Sequence, residues 1–263
     1  MYTLLRYLPR VIFPYIQYYF YPQKANLQNI LQTVQTGIQS NIDELAEIQT
    51  IVIKDYITKW KTEKQRSRNG FSIAEYPTLG KIQLWCEQLV EMLWANFQYV
   101  REVERIQMSV LNSQENTAIL AIHEYLIRLL SELLNCSFII ENEPPQILKL
   151  GTKFPSSVST RLLIGNKLNV TMSNPIVTVN IIKESQAKLL PISDKVETCG
   201  QLMNNKGKLE ISEGKVLLTN FKNLLLKKID RTNNSMRSES VMEEKCCLYF
   251  NTDINIGELK LKV

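Results

Sequence analysis

Between Leu27 and Trp60 an apolar side chain returns every three or four residues: Leu27, Leu31, Val34, Ile38, Ile42, Leu45, Ile48, Val52, Tyr56 and Trp60. That spacing keeps one face of an α-helix apolar. Gln, Asn, Glu, Asp and Lys occupy the positions between, and no proline falls between Gln23 and Tyr76. The pattern predicts a helix from about Gln23 to Arg66, far beyond the globular mean of about 11–12 residues. A helix of that length draws its stability from packing against other long helices, so the chain must build a coiled coil or a long bundle.

The partners follow in sequence. RSRNGFSIAEYPTLG, Arg66 to Gly80, breaks the first helix with Asn69-Gly70 and Pro77. A second helix is expected from about Leu79 to Leu111, with the stripe Ile82, Trp85, Leu89, Met92, Val100, Val103, Ile106 and Val110. Asn112-Ser113-Gln114 supplies a polar turn and cap. A third helix is expected from about Glu115 to Leu134, with Ile119, Ile122, Leu126, Leu129 and Leu133 inward. Three such helices pack as antiparallel neighbours. Residues 1–22 do not fit this scheme. MYTLLRYLPRVIFPYIQYYFYP is aromatic and interrupted by prolines. Its uncharged run, Val11 to Pro22, is too short to cross a bilayer, which needs about 20 apolar residues. Three readings of this atypical segment stay open: a weak membrane-proximal or signal-like stretch, a piece of the helix bundle, or a misjoined first exon. We favour the last and expect no membrane partner.

The period then changes from that of helices to that of strands. Ser137 to Ile140 is β-rich, and Glu143-Pro144-Pro145 is a rigid break. Val158 to Val170 reads as a strand pair or a long bent strand around Gly165-Asn166. Ile176 to Ile182, Val216 to Leu226 and Val241 to Phe250 read as further strands. Leu259, Leu261 and Val263 alternate with Lys260 and Lys262 up to the last residue, as if in mid-strand. Short strands separated by turns suggest a β-sandwich or barrel. The expected organisation is a multidomain α+β chain: residues 1–22 atypical, 23–142 a helical coiled-coil bundle, 143–263 a β domain.

Catalytic signatures are missing. The sequence has no Walker A loop, GxGxxG or HExxH motif. Its single histidine, His123, follows inward-facing Ile122 on the third helix and reads as a partly packed helix residue rather than a catalytic base. The five cysteines, Cys86, Cys136, Cys199, Cys246 and Cys247, include no CxxC pair. They suit reduced intracellular thiols. Cys246 and Cys247 alternate on a strand and cannot hold one metal together. We therefore expect no enzyme, no metal and no cofactor.

Charge supplies the positive signal. Of the formal net charge of +5, the β half is the basic part: from Lys149 to Val263 there are 18 Lys and Arg against 11 Asp and Glu. Lys149 and Lys153 bracket a Gly-Thr turn. Lys222, Lys227, Lys228, Arg231 and Arg237 gather at a strand end and in the polar stretch after it. Basic loops at one end of a sandwich suit the phosphates of double-stranded DNA, contacts that position a protein without reading sequence. A merely solvated loop surface is the competing reading.

Several blocks in order resemble a known family. CSFIIENEPPQILKLGTKF, Cys136 to Phe154, resembles the junction between the coiled-coil and DNA-binding domains of STAT proteins (signal transducers and activators of transcription). RLLIGNKLNV, Arg161 to Val170, resembles the strands that follow there. Ser240 to Lys245 (SVMEEK) resembles a later block, and Trp85 to Glu104 the middle of the family's coiled coil. The resemblance runs from about Leu27 to Val263. It implies a long-helix coiled-coil bundle followed by an immunoglobulin-like or p53-like β-sandwich that binds DNA in a cytokine-receptor and JAK signalling pathway. It also implies protein partners on the bundle and residence in cytoplasm and nucleus.

In the family a lysine in the pattern LK-x-x-x-x-F contacts DNA. Here that motif is Leu148-Lys149 to Phe154, which points to Lys149 and, in the same loop, Lys153. The basic stretch FKNLLLKKIDR resembles a family segment tied to nuclear import, through Lys227, Lys228 and Arg231. Only three bundle helices are evident, and neither an SH2 domain nor a tail phosphotyrosine is found. The resemblance therefore leads us to expect a truncated chain that does not by itself form the family's active homodimer. On that expectation, a helical interaction module that does not bind DNA, or an inert fragment, is the alternative function.

Overall fold

The computed structural model describes residues 12–68, 70, 77–111, 117–144, 147–190, 196–212, 215–230 and 245–263, and of residues 12–24 and 109–111 the backbone alone. The first helical stretch is unbroken. Helix α1 (Ile12–Ile51) runs into a π-helical segment (Val52–Thr58) and then α2 (Lys59–Arg68). Helices α3 (Leu79–Leu111) and α4 (Thr117–Ser137) follow. Among the described residues the helix reaches back to Ile12, ahead of the start expected near Gln23, so the backbone of residues 12–22 continues the bundle helix. Pro14 falls in the first described turn of this helix. Pro22 removes only one bond of a long ladder.

The π-helical segment has a cause in the sequence. Val52 and Ile57, five residues apart, are both buried, while Tyr56 is only half-buried. A wider turn rotates Ile57 into the place that a regular helix would give to Tyr56. Thr58 Oγ1 donates to the carbonyl of Ile53, five residues back, at 2.8 Å. Tyr56 instead meets Trp85 with ring centroids 4.5 Å apart.

The chain divides into two compact units. The first comprises the described residues up to Thr50 together with Met92–Leu130. It is a helical core in which Leu31, Ile38, Ile42 and Leu45 of α1 are buried, as are Leu93, Phe97, Val100 and Val103 of α3. Ile119, Ile122, Leu126, Leu129 and Leu130 of α4 complete it. Phe97 stacks on Trp94 at 5.0 Å and on His123 at 4.8 Å. Half-buried, His123 serves here as a ring in the core wall.

The second unit comprises Ile51–Glu91 and Ser131–Val263. Among the described residues it holds the root of the helices and all the strands. Strands β1 (Phe138–Asn142), β2 (Val158–Leu162), β6 (Glu210–Ser212) and β7 (Val216–Phe221) form a sheet in the order β1-β2-β7-β6. Strands β3 (Ile176–Lys183), β5 (Lys206–Lys208) and β9 (Cys246–Asn251) form a second, in the order β5-β3-β9. Strand β4 (Gly200–Met203) pairs with β8 (Leu225–Ile229), and β10 (Asp253–Ile256) with β11 (Leu259–Lys262). Every pairing is antiparallel. Phe221 of the first sheet meets Phe250 of the second at 6.0 Å, as facing layers of a sandwich do. Glu184–Ala187 (α5) follows β3.

Two strand expectations are corrected. Only Val158–Leu162 of the Val158–Val170 stretch is a strand. Lys167–Ser173 is 3-10 helical, with Leu168 (φ 59°) and Asn169 (φ 53°) in left-handed conformations that no strand contains. The stretch Val216 to Leu226 is not one strand either. A turn at Lys222 and Asn223 ends β7 and lets β8 pair with β4. Of the strand expected from Val241, residues 241–244 lie outside the described residues.

Candidate nucleic-acid interface

The loop that carries Lys149 and Lys153 is pinned to β8 by its main chain. Gly151 N–H donates to the Leu226 carbonyl at 2.8 Å, and Phe154 N–H to the Leu224 carbonyl at 2.9 Å. Lys153 bridges Leu225 between them. Thr152 closes the turn by donating its hydroxyl to the Lys149 carbonyl at 2.7 Å. Gly151 stands at φ +74°, a conformation that side chains other than glycine rarely take. Phe154 is buried and anchors the loop, while Lys149 and Lys153 are exposed.

This attachment brings the loop to the β7–β8 turn. Lys153 Nζ lies 3.4 Å from Asn223 Oδ1. Asn204 Nδ2 in turn donates to the Asn223 carbonyl at 2.9 Å. Lys222, Asn223 and Asn204 are all exposed. Cations and side-chain amides therefore share one end of the strands, where they could meet phosphates and groove edges.

Further along β8, Lys227 and Lys228 are neighbours, and strict alternation would send them to opposite faces. The β4–β8 register instead jumps from Gln201↔Lys228 to Leu202↔Leu226, leaving Lys227 as the extra residue of a bulge. Both lysines are exposed. Lys228 Nζ pairs with Asp230 Oδ1 at 2.5 Å. Lys227 lines a surface groove of about 360 Å³ together with Asn180, Gln201 and Asn205. Arg231 and Arg237 lie outside the described residues.

Four of the six expected DNA-contacting residues are thus placed: Lys149 and Lys153 together, Lys227 and Lys228 on the bulge. Asn204 and Asn223, which join this surface, were not among the residues expected there. The run Asn204-Asn205-Lys206-Gly207 carried a usable turn signal, borne out in Asn204 at φ 56°. Asn223 carried none, because it was read as the middle of a strand. Among the described residues, no group of three or more His, Cys, Asp or Glu could hold a metal ion. No helix among them is long and apolar enough to cross a membrane.

Long helices followed in the chain by an antiparallel sandwich, with exposed lysines around the β8 side, make a multidomain α+β protein with a candidate surface for a polyanion. The chain belongs to the STAT family: its residues 20–134 match the family model of the STAT transcription factor coiled-coil domain, and residues 142–263 that of the STAT DNA-binding domain. The members of this family are transcription factors, not enzymes. One curated relative, a signal transducer and transcription activator of Anopheles gambiae, is 32% identical over 234 residues, or 86% of this chain. The chain spans 31% of the length of that relative.

Proposed function

We propose that this chain is the DNA-gripping portion of a transcription factor that acts in cytokine-receptor and JAK signalling. It would bind double-stranded DNA in the nucleus after passing from the cytoplasm. The observation that carries this reading is the Lys149–Phe154 loop, hydrogen-bonded along Leu224–Leu226 so that Lys153 reaches Asn223 beside Lys222. In this reading Lys149 and Lys153 grip the DNA directly, and Lys227 extends the contact along the backbone. Lys228, Arg231 and Arg237 flank it, and Lys227, Lys228 and Arg231 also serve nuclear import. The helical bundle carries protein partners, and a homodimer belongs to the full-length family member.

The test is binding to duplex DNA by fluorescence anisotropy across a salt series. Affinity should fall steeply with salt, as expected when a protein displaces phosphate counterions. Lys149→Ala should weaken binding by about 1–3 kcal/mol if the side chain reaches a base edge. Affinity that is weak and indifferent to salt would overturn the DNA reading. Strong binding unchanged by Lys149→Ala would overturn the role of that residue.

A further inference from the structure

Two of the five cysteines meet in space, although far apart in the chain. Cys199 immediately precedes β4, and Cys246 opens β9. Strand β3 lies beside both. Cys199 N–H donates to the Ile181 carbonyl at 2.9 Å, and Cys246 stands opposite Lys183 in the β3–β9 register. Paired residues of a ladder share a face, as do residues two apart on a strand. Cys246 therefore stands on the face of β3 that Ile181 and Lys183 share, and the Cys199 sulfur reaches the same place. The two sulfurs are 3.8 Å apart, and both are free thiols. A disulfide needs an S–S distance of about 2.05 Å, so roughly 2 Å of approach separates this contact from a bond.

The two thiols differ in a way that assigns them roles. Cys246 is exposed and Cys199 is buried. Burial, with Cys246 beside it adding and Lys183 opposing, pushes the Cys199 thiol up to about 12. Cys199 is therefore protonated and shielded, while Cys246 is the sulfur that a diffusing oxidant meets. An accessible cysteine next to a resolving one is the arrangement of a reversible thiol switch. Cys247 does not compete from this face, since adjacent residues of a strand point to opposite sides.

We propose that Cys199 and Cys246 are a reversible redox pair, closed to an intramolecular disulfide by hydrogen peroxide and reopened by thiols. The Cys246 thiol gives up its proton and its thiolate attacks the peroxide; the O–O bond breaks, a sulfenic acid forms, and the departing hydroxide takes up that proton as one water. The Cys199 sulfur then attacks the Cys246 sulfur. The S–O bond breaks, and the leaving hydroxide takes the Cys199 proton as a second water. Two thiols have then lost two electrons, and one peroxide has gained them. The bond would staple β9 to the residue that also holds the end of β8, because the Cys199 carbonyl accepts from Asp230 N–H at 2.7 Å. This pair does not depend on the DNA-binding reading.

The experiment oxidises the full chain with hydrogen peroxide, blocks residual thiols with an alkylating agent and maps the peptides without reduction. It is run on the wild type and on Cys247→Ser, so that Cys246 is the only cysteine of its peptide. The expected product links the Cys199 and Cys246 peptides with loss of two hydrogens, raises the melting temperature, and reverts with dithiothreitol. Cys199→Ser and Cys246→Ser should each abolish it. A Cys246–Cys247 bond would overturn the proposal. So would Cys246 carried on to sulfinic acid while Cys199 is still alkylated, or both thiols left unoxidised. Because the linkage is read in the wild-type protein, poor folding of a serine variant would not obscure the answer.

Discussion

Arg161 and Lys149 lie close in the sequence and carry the same charge, but the fold uses them in opposite ways. Arg161 projects from β2, the strand between β1 and β7, and its side chain is only 11% exposed. It donates from Nε to Gln83 Oε1 at 3.0 Å and pairs through Nη1 with Glu141 at 3.0 Å. Lys64 of α2 likewise turns inward, donating to the Ile140 carbonyl at 3.0 Å and to that of Glu141. Glu143 takes Lys64 at 3.8 Å and also pairs with Arg68. These cations tie the helical root of the second unit to β1 and β2. Lys149, Lys153, Lys222 and Lys227 instead stand exposed along the β8 side. A count of lysines and arginines treats both groups alike. Only the second group is open to a polyanion, so net charge overstates the DNA-facing charge of the basic half.

The strongest test of this contrast is Arg161→Met. It keeps much of the volume and removes the charge, leaving Gln83 and Glu141 without their partner in a mostly buried place. Breaking such a pair costs more than a surface ion pair is worth. We expect a loss of about 3 kcal/mol in denaturant unfolding, with DNA affinity of the folded protein changed by less than about twofold. Unchanged stability with weakened DNA binding would place Arg161 among the DNA-facing cations and dissolve the distinction.

Lys64 allows a smaller test with a pH signature. Burial holds its pKa below 10.5, desolvation being the main cause; Glu141 opposes this and Arg68 adds to it. The folded protein therefore releases this proton at a lower pH than the unfolded chain. Holding the charge in the fold has a cost, and it is relieved as pH climbs toward 10.5. Lys64→Gln should lower stability by about 1–2 kcal/mol at neutral pH through the lost carbonyl contacts. Its deficit relative to wild type should widen between pH 8.5 and pH 10.5, a window chosen to lie below the unfolded value. Urea unfolding of both proteins across that range gives the answer. A deficit that stays flat or narrows would show that the ammonium is not desolvated at this site.

The contrast between the two cation groups also explains what could be read from the residues alone. The helices were legible because their apolar stripes are long: Leu79–Leu111 stands as the pattern predicts it. The sandwich was legible as a class because Ile176–Ile182 and its neighbours are β-branched. The π-helical turn was not legible, since it depends on whether Tyr56 or Ile57 fills the core. Neither was the strand end at Leu162, where the hydrophobic run continues through the turn as Leu163-Ile164, nor the one at Phe221, where Lys222-Asn223 parts two apolar runs that read as one strand. Lys149 and Lys153 stood out through their motif. That Arg161 turns inward depends on Gln83, far away in sequence, and the bulge that exposes Lys227 beside Lys228 depends on a register set across two strands.

The finest distinction lies within the exposed group, between Lys227 and Lys228. Lys228 already faces Asp230 at 2.5 Å, with both side chains more than half exposed. A surface pair of this kind contributes little, about 0–1 kcal/mol, to stability. It does place a carboxylate where a phosphate would otherwise sit. Asp230→Asn should leave the melting curve nearly unchanged and strengthen DNA binding by about 0.5 kcal/mol or less at low salt. Lys228→Ala should then cost more affinity in the Asp230→Asn background than in wild type, because only there is the ammonium unclaimed. Equal losses in the two backgrounds would mean that Lys228 leaves Asp230 freely whenever DNA arrives. The division between engaged and available cations would then end at the buried joint and not extend to the surface of β8.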